Sequence, residues 1–263
     1  MTARPTFRTG IGTSDADHIT LLGHDLADEL IGAITFGELA YWLMTKRRPS
    51  EPQRTMFEAV LVALADHGFT PTAIAARVTL LSAPESVQGA LAAGLLGGGS
   101  RFLGVTEDTS VYLGDVIARL DSLPADDAGW DAVAIDAVAG TKAAGRFVPG
   151  LGHPVHKLED PRTPALSQLA RDNDCFGPHL ELFTAIGRTH SQVLGKALPL
   201  NGAGVCGAVL ADIDVPRSVI RGVALLARCA GLLGHLAEEV ADPIANDIYL
   251  SVDRNTDYQP PSR

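Results

Sequence analysis

Several long stretches of this chain repeat apolar residues every three to four positions, a spacing that suits helices and little else. From Leu26 to Lys46 the pattern runs through Leu30, Ile31, Ile34, Leu39, Trp42 and Leu43. From Pro52 to Asp66 it continues with Met56, Val60 and Leu64 on one face. Aromatic residues are only 5% of the sequence, while alanine, leucine and glycine are abundant. That balance favours close-packed helices, because the strands of a β-sandwich would want more Val, Ile, Tyr and Phe. The expected fold class is all-α, with a short N-terminal β-hairpin where Ser14-Asp15-Ala16-Asp17 offers a turn inside Arg8–Leu22.

Further helices are expected over Thr72–Leu81, Pro84–Leu96 and Pro216–Val240, with the cluster Gly97-Gly98-Gly99 ending the second of them. Beyond Arg101 the chain carries more charge and more breaks, at Leu123-Pro124-Ala125-Asp126-Asp127 and at Val148-Pro149-Gly150-Leu151-Gly152. We read residues 105–204 as a smaller helical domain inserted into a larger one formed by 1–104 and 205–263. The end of the chain, with Pro260-Pro261, is expected to be a disordered tail.

A formal net charge of −10 argues against general affinity for nucleic acid or an anionic membrane. An anionic ligand can still be held where the few Lys and Arg residues cluster. Cys175, Cys206 and Cys229 are widely spaced and are expected to be reduced, buried thiols, with neither a disulfide framework nor a zinc site. The N-terminus is polar, with Arg4 and Arg8 but no apolar core segment. Val219–Val240 is interrupted by Arg221, Arg228 and His235 and reads as a buried helix. The expectation is a soluble, cytoplasmic protein.

Three segments combine reactive side chains with backbone suited to an anionic ligand. In Ala65-Asp66-His67-Gly68 a histidine stands at a helix–loop junction, from which its side chain can reach a cleft. In Val148-Pro149-Gly150-Leu151-Gly152-His153, followed by Lys157 and Asp160-Pro161-Arg162, glycines allow close approach to a phosphate or an adenine ring. There His153 can exchange protons near neutral pH, and Lys157 and Arg162 offer positive charge. Leu198-Pro199-Leu200-Asn201-Gly202-Ala203-Gly204 opens an Ala/Val-rich helix. Each segment alone is equally readable as ordinary loop or cap chemistry.

In order along the chain, these segments resemble the citrate synthase superfamily, most closely its citryl-CoA lyase branch and the matching domain of ATP-citrate lyase. Ala65-Asp66-His67-Gly68 with Ala75-Ala76-Arg77 is similar to a "DHG…AAR" region, and Gly89-Ala90-Leu91-Ala92-Ala93-Gly94 to an "AAG" helix. Gly150-Leu151-Gly152-His153 with Asp160-Pro161-Arg162 is similar to "GxGH…DPR", and Ala227–His235 to "ARxxGxxAH". The resemblance implies an almost all-α homodimer whose two domains close on a CoA thioester and an oxo-acid, without a metal. It implies that His67 and His153 are catalytic, with His67 holding the oxo-acid and His153 exchanging a proton. Arg162 and Arg228 would grip carboxylates, Asn201 and Phe102 would line the substrate site, and Val148, Gly150, Leu151, Gly152 and Lys157 would take CoA.

Three departures from the family pattern stand out. The family's catalytic aspartate falls on Ala203, the arginine after the loop histidine is Pro154, and Asp242–Asp247 lacks the arginine that a neighbouring subunit contributes. Phe102 stands where true citrate synthases carry a histidine. The expected function is therefore carbon–carbon bond formation or cleavage on a CoA thioester at an altered site. The alternatives are an impaired CoA-binding or regulatory homologue, and hydrolysis of a CoA ester.

Overall fold

The computed structural model describes residues 6–153 and 156–261; Arg4 and Pro154, used in the readings above, lie outside them. The chain opens with the expected hairpin, β1 (Gly12–Ser14) against β2 (Ile19–Leu21), Thr13 opposite Thr20. A third strand, β3 (His24–Asp25), pairs with β2. The two linking residues, Leu22 (φ 52) and Gly23 (φ 87), are both left-handed, as a tight hairpin turn with the twist of its strands demands. Leu26–Leu30 then forms a single wide π turn, so the helical spacing read across Leu26–Lys46 is realised as this turn and α1 (Phe36–Thr45).

The next helices are α2 (Glu51–Ala65), α3 (Pro71–Ser82) and α4 (Val87–Leu96). Each is started by local chemistry that the sequence displays. Thr35, Ser50, Thr70 and Ser86 accept an amide N–H in the first turns of α1 to α4, and Pro52 and Pro71 sit where a missing N–H costs nothing. Ser50 and Gln53 form a reciprocal capping box. After Gly97–Gly99 come α5 (Val105–Ile117), α6 (Asp127–Ala143), α7 (Arg162–Asp172), α8 (Pro178–Leu194) and α9 (Gly202–Asp212). Asp212, at the end of α9, accepts N–H bonds from Gly177, His179 and Leu180 and so caps α8.

A short 3-10 turn at Arg217–Val219 leads into α10 (Ile220–Ala241). A last helix, α11 (Ala245–Asp253), was not anticipated, and the described residues beyond it are exposed.

Helix α6 packs along α8, α5 along α9, and α10 against α2, α3, α4 and α5. The α5–α9 approach is close enough that a Cβ on Gly207 would strike the Thr106 carbonyl, which explains a glycine in mid-helix. One continuous core joins Met56, Phe57 and Val60 of α2 with Phe183 and Ile186 of α8, Val205 and Val209 of α9, and Val223 of α10. Each large side chain fully buried there contributes roughly 1.5–3 kcal/mol. A smaller cluster, Ala73, Ala76, Leu80, Ala90, Leu232 and Leu236, seals α3 and α4 onto α10.

The segment Arg217–Ala241 is long and apolar enough in composition to span a bilayer, but its stripe Val223, Ala227, Leu232 and Leu236 is buried among these helices. All three cysteines are free thiols; Cys206 is buried in α9, and burial pushes its thiol up to about 12.

Candidate active site

The core brings four separate loop–helix junctions to one cavity of about 700 Å³. Its walls come from the end of α2, the start of α3, the segment before α5, the 147–153 loop and the first turns of α7 and α9, with α10 supplying Arg228. His67, His153, Arg162, Arg228, Asn201, Phe102, Val148, Gly150, Leu151 and Gly152 all line it, as does Ala203. Lys157 does not line it. Its side chain is exposed, and its ammonium donates to the His153 carbonyl at 3.2 Å.

The 148–152 loop is held in place by backbone pairing. Leu151 bridges to Leu200, Gly152 N–H donates to the Pro199 carbonyl at 2.7 Å, and Asn201 N–H to the Gly150 carbonyl at 2.9 Å. Gly150 has φ +81°, and a Cβ there would lie 2.6 Å from the Phe183 ring, so only glycine fits. Asn201 uses both ends of its amide: Oδ1 accepts from Gly204 N–H at the start of α9, and Nδ2 donates to the Gly152 carbonyl. It is thereby committed to positioning the loop, not to proton transfer.

Arg162 lies across the start of α9. Its Nε and Nη2 donate to the two oxygens of Asp160, at 3.0 and 2.8 Å, and Nη1 reaches the Ala63 carbonyl at 3.3 Å. Asp160 is fully buried and also accepts the Gly202 N–H at 2.7 Å. Burial opposes its ionisation, but the Arg162 guanidinium and these amide donors outweigh burial and hold its carboxyl well below the usual range.

Arg228 differs. It is 5% exposed, and its Nε has no hydrogen-bond partner among the described residues. Its nearest carboxylate contact is Asp66, 4.0 Å from Nη1. A guanidinium remains protonated even where burial lowers its pKa, as here, so it faces the cavity as a charge with donors to spare.

His67 stands just beyond α2 on a loop fastened by Asp66. The Asp66 carboxylate accepts Gly68 N–H at 2.7 Å and contacts His235 Nε2 of α10 at 3.0 Å. The ring of His67 lies 5.3 Å from that of His153. Burial, then the neighbouring His156, pulls the His153 pKa below the ordinary imidazole value; Asp160 opposes and His67 and Arg162 add to the fall. His153 Nδ1 accepts the His156 N–H at 2.9 Å, which leaves the neutral ring with its proton on Nε2.

Several contributors were not singled out in the sequence. Asp160 belongs to a recognised motif, but its clamp on Arg162 and α9 is a matter of packing. Asp108, the one carboxylate among the described residues of the lining, has its pKa raised by burial. Behind His67, fully buried Arg77 contacts His235, Glu238 and Glu239.

A mostly helical fold with a small N-terminal sheet and a cavity lined by histidines and arginines narrows the class considerably, and comparison with known proteins completes the step. The model of the citrate synthase C-terminal domain matches residues 23–249, and the chain belongs to the citrate synthase family. It is similar to the citryl-CoA lyase structure from Hydrogenobacter thermophilus, with TM-score 0.84 and 28% identity over 98% of this chain and 97% of that one. The ATP citrate lyase of Methanothrix soehngenii, solved with citrate and coenzyme A, shares the fold at TM-score 0.81 and 23% identity, covering 100% of this chain and 43% of that one. In sequence the chain is 26% identical over 219 residues to ATP-citrate synthase beta chain protein 1 of Oryza sativa subsp. japonica. That match covers 77% of this chain, and the chain spans about a third (34%) of the rice protein's length.

Proposed function

We propose that this protein makes or breaks a carbon–carbon bond between a CoA thioester and an oxo-acid, without citrate necessarily being the product or substrate. The observation that carries the reading is the convergence of His67, His153, Arg162 and Arg228 on one cavity. Family membership and the likeness to a citryl-CoA lyase support it. In the direction of bond formation, the oxo-acid carboxylate sits on Arg228, where a planar guanidinium suits it. His67 holds the oxo group. The thioester loses its α-proton to the lining carboxylate of Asp108, the enolate carbon attacks the oxo carbon, and Nε2–H of His153 donates to the developing alkoxide. Cleavage runs these steps in reverse.

The inner charge inventory favours an oxo-acid with a single carboxylate. Of the three lining guanidiniums, Arg162 already spends two nitrogens on Asp160, Arg101 is exposed, and Arg228 is the buried one left with a free donor; no arginine lies in Asp242–Asp247. Closure of a 105–204 unit onto the rest, a homodimer and a cytoplasmic setting all belong to the same proposal. A second reading, CoA binding without turnover, is favoured by one observation: the position of the family's aspartate is Ala203, which cannot titrate.

Steady-state kinetics with acetyl-CoA against mono- and dicarboxylate oxo-acids separates the two readings. Arg228→Ala should raise KM for the oxo-acid roughly 10–100-fold, the worth of a charged hydrogen bond, and leave CoA affinity unchanged. An unchanged KM would remove Arg228 from the substrate site. CoA binding with no turnover of any oxo-acid would leave the second reading standing.

A further inference from the structure

The quoted family motif "GxGH…DPR" gives no role to His156, yet the fold sets it against both histidines of the cavity. Ring centroids lie 4.5 Å apart for His153–His156 and 5.9 Å for His67–His156. One nitrogen from each of the three rings falls within 4.8 Å of the others. We propose that His67, His153 and His156 form a site for a divalent transition-metal ion of the zinc class, with an open coordination position facing the cavity. The proposal goes beyond the reaction proposed above and does not depend on it.

Three imidazoles and one open position are the ligand set of a catalytic type of zinc site, with Zn–N bonds of about 2.0–2.1 Å. A tetrahedron of that size separates its nitrogens by about 3.4 Å, so the rings must close by about 1.4 Å or less. His67 and His153 both line the cavity, so an ion on them presents its free position there. Asp160 Oδ2 lies 4.0 Å from His153 Nε2, beyond hydrogen-bond length, so a shift of the ring by about 1 Å as Nδ1 takes the metal would bring Nε2–H to the carboxylate, the arrangement that orients metal ligands. The same carboxylate neutralises Arg162, at 2.8 Å from Nη2.

Binding has a cost that makes it recognisable. Nδ1 of His153 now accepts the His156 amide at 2.9 Å. A metal on Nδ1 takes that lone pair, so loading must rearrange the backbone around His156. An ion there would polarise an oxo or hydroxyl oxygen through its open position and supply charge at a site lacking the family's carboxylate. With Nδ1 of His153 on the metal and its Nε2–H turned to Asp160, that N–H is no longer offered to the substrate, so metal loading and proton donation by His153 exclude one another.

The test uses tag-free full-length protein, freed of metal by chelator, titrated with Zn²⁺ against a chromophoric competitor in the absence of CoA. One ion per chain is expected, and Co²⁺ in its place should give the visible absorption of a low-symmetry four- or five-coordinate site. His156→Ala and His67→Ala should each weaken zinc by more than the roughly 10–100-fold that losing an outer-shell partner costs. His156→Gln, which keeps the side chain's bulk, serves the same purpose if His156→Ala melts below wild type. Failure of wild type to bind zinc stoichiometrically, or wild-type affinity in folded His156 and His67 variants, overturns the proposal. Because no CoA is present, neither result bears on the carbon–carbon chemistry.

Discussion

Replacing Ala203 with aspartate should raise the rate of carbon–carbon bond formation or cleavage by ~10²–10⁴, the usual worth of a placed acid–base group. The α-proton of a thioester is a very weak acid, so enolate formation needs a carboxylate within reach, and so does enolate quenching. Ala203 lines the cavity in the first turn of α9, capped by Asn201 and opposite the 148–152 loop. A carboxylate at a helix N-terminus is electrostatically favoured, so Ala203→Asp should fold as well as wild type. The expected signature is a rise in kcat with little change in KM, because the new group acts in the transition state. No rise would mean that the proton is already handled elsewhere. Asp108, which supplies a carboxylate to the lining, is then the residue to remove.

The second large effect is on stability. Arg77→Ala should cost ~3–5 kcal/mol of folding free energy, because it strands a buried carboxylate. Arg77 is 0% exposed and donates to Glu239 at 2.9 Å, to Glu238, and to His235 Nδ1 at 3.0 Å. Glu239 is itself buried and accepts the Ile244 and Ala245 amides at the start of α11. Calorimetry should register a fall in Tm on the order of 10 °C. Arg77→Lys should fall in between, since an ammonium keeps the charge but lacks the fork that reaches several partners.

The pH dependence has a definite sign. Burial opposes ionisation of Glu239, but the Ala245 amide and Arg77 prevail and set its pKa below the ordinary carboxylate value. A depressed folded-state pKa means stability present above the ordinary value and lost as pH falls through the folded one. The deficit of Arg77→Ala should therefore be full at neutral pH and shrink on acidification. The loss should also reach the cavity. His235 receives Arg77 on Nδ1 and turns Nε2–H to Asp66, which fastens the His67 loop. A deficit that does not vary with pH would detach Glu239 from the effect.

Much of this architecture could be read from the chain because it is built locally. Apolar spacing and caps such as Ser50 and Thr70 mark α2 and α3, and the pattern before the cap of α9 is equally plain. What escaped is short or non-local. The five-residue gap between the π turn and α1, the two-residue β3 and the nine-residue α11 are short, and α11 is started by Glu239 from another helix. The residues singled out for chemistry share one cavity, Lys157 excepted. The pairing of Arg77 with Glu239 spans 162 positions and leaves no trace in either neighbourhood. The same holds for His156, which becomes notable only when a fold sets His67 beside it.

The account stands on carbon–carbon chemistry at a thioester that stays esterified. The direct measurement is to incubate the protein with 3-hydroxyacyl-CoA substrates bearing one or two carboxylates, citryl-CoA among them, and to identify the products by mass spectrometry. Equal amounts of an oxo-acid and a shortened acyl-CoA are predicted, with the yield lost in His153→Ala. Free CoA together with an intact hydroxy acid would mean thioester hydrolysis instead and would contradict the account.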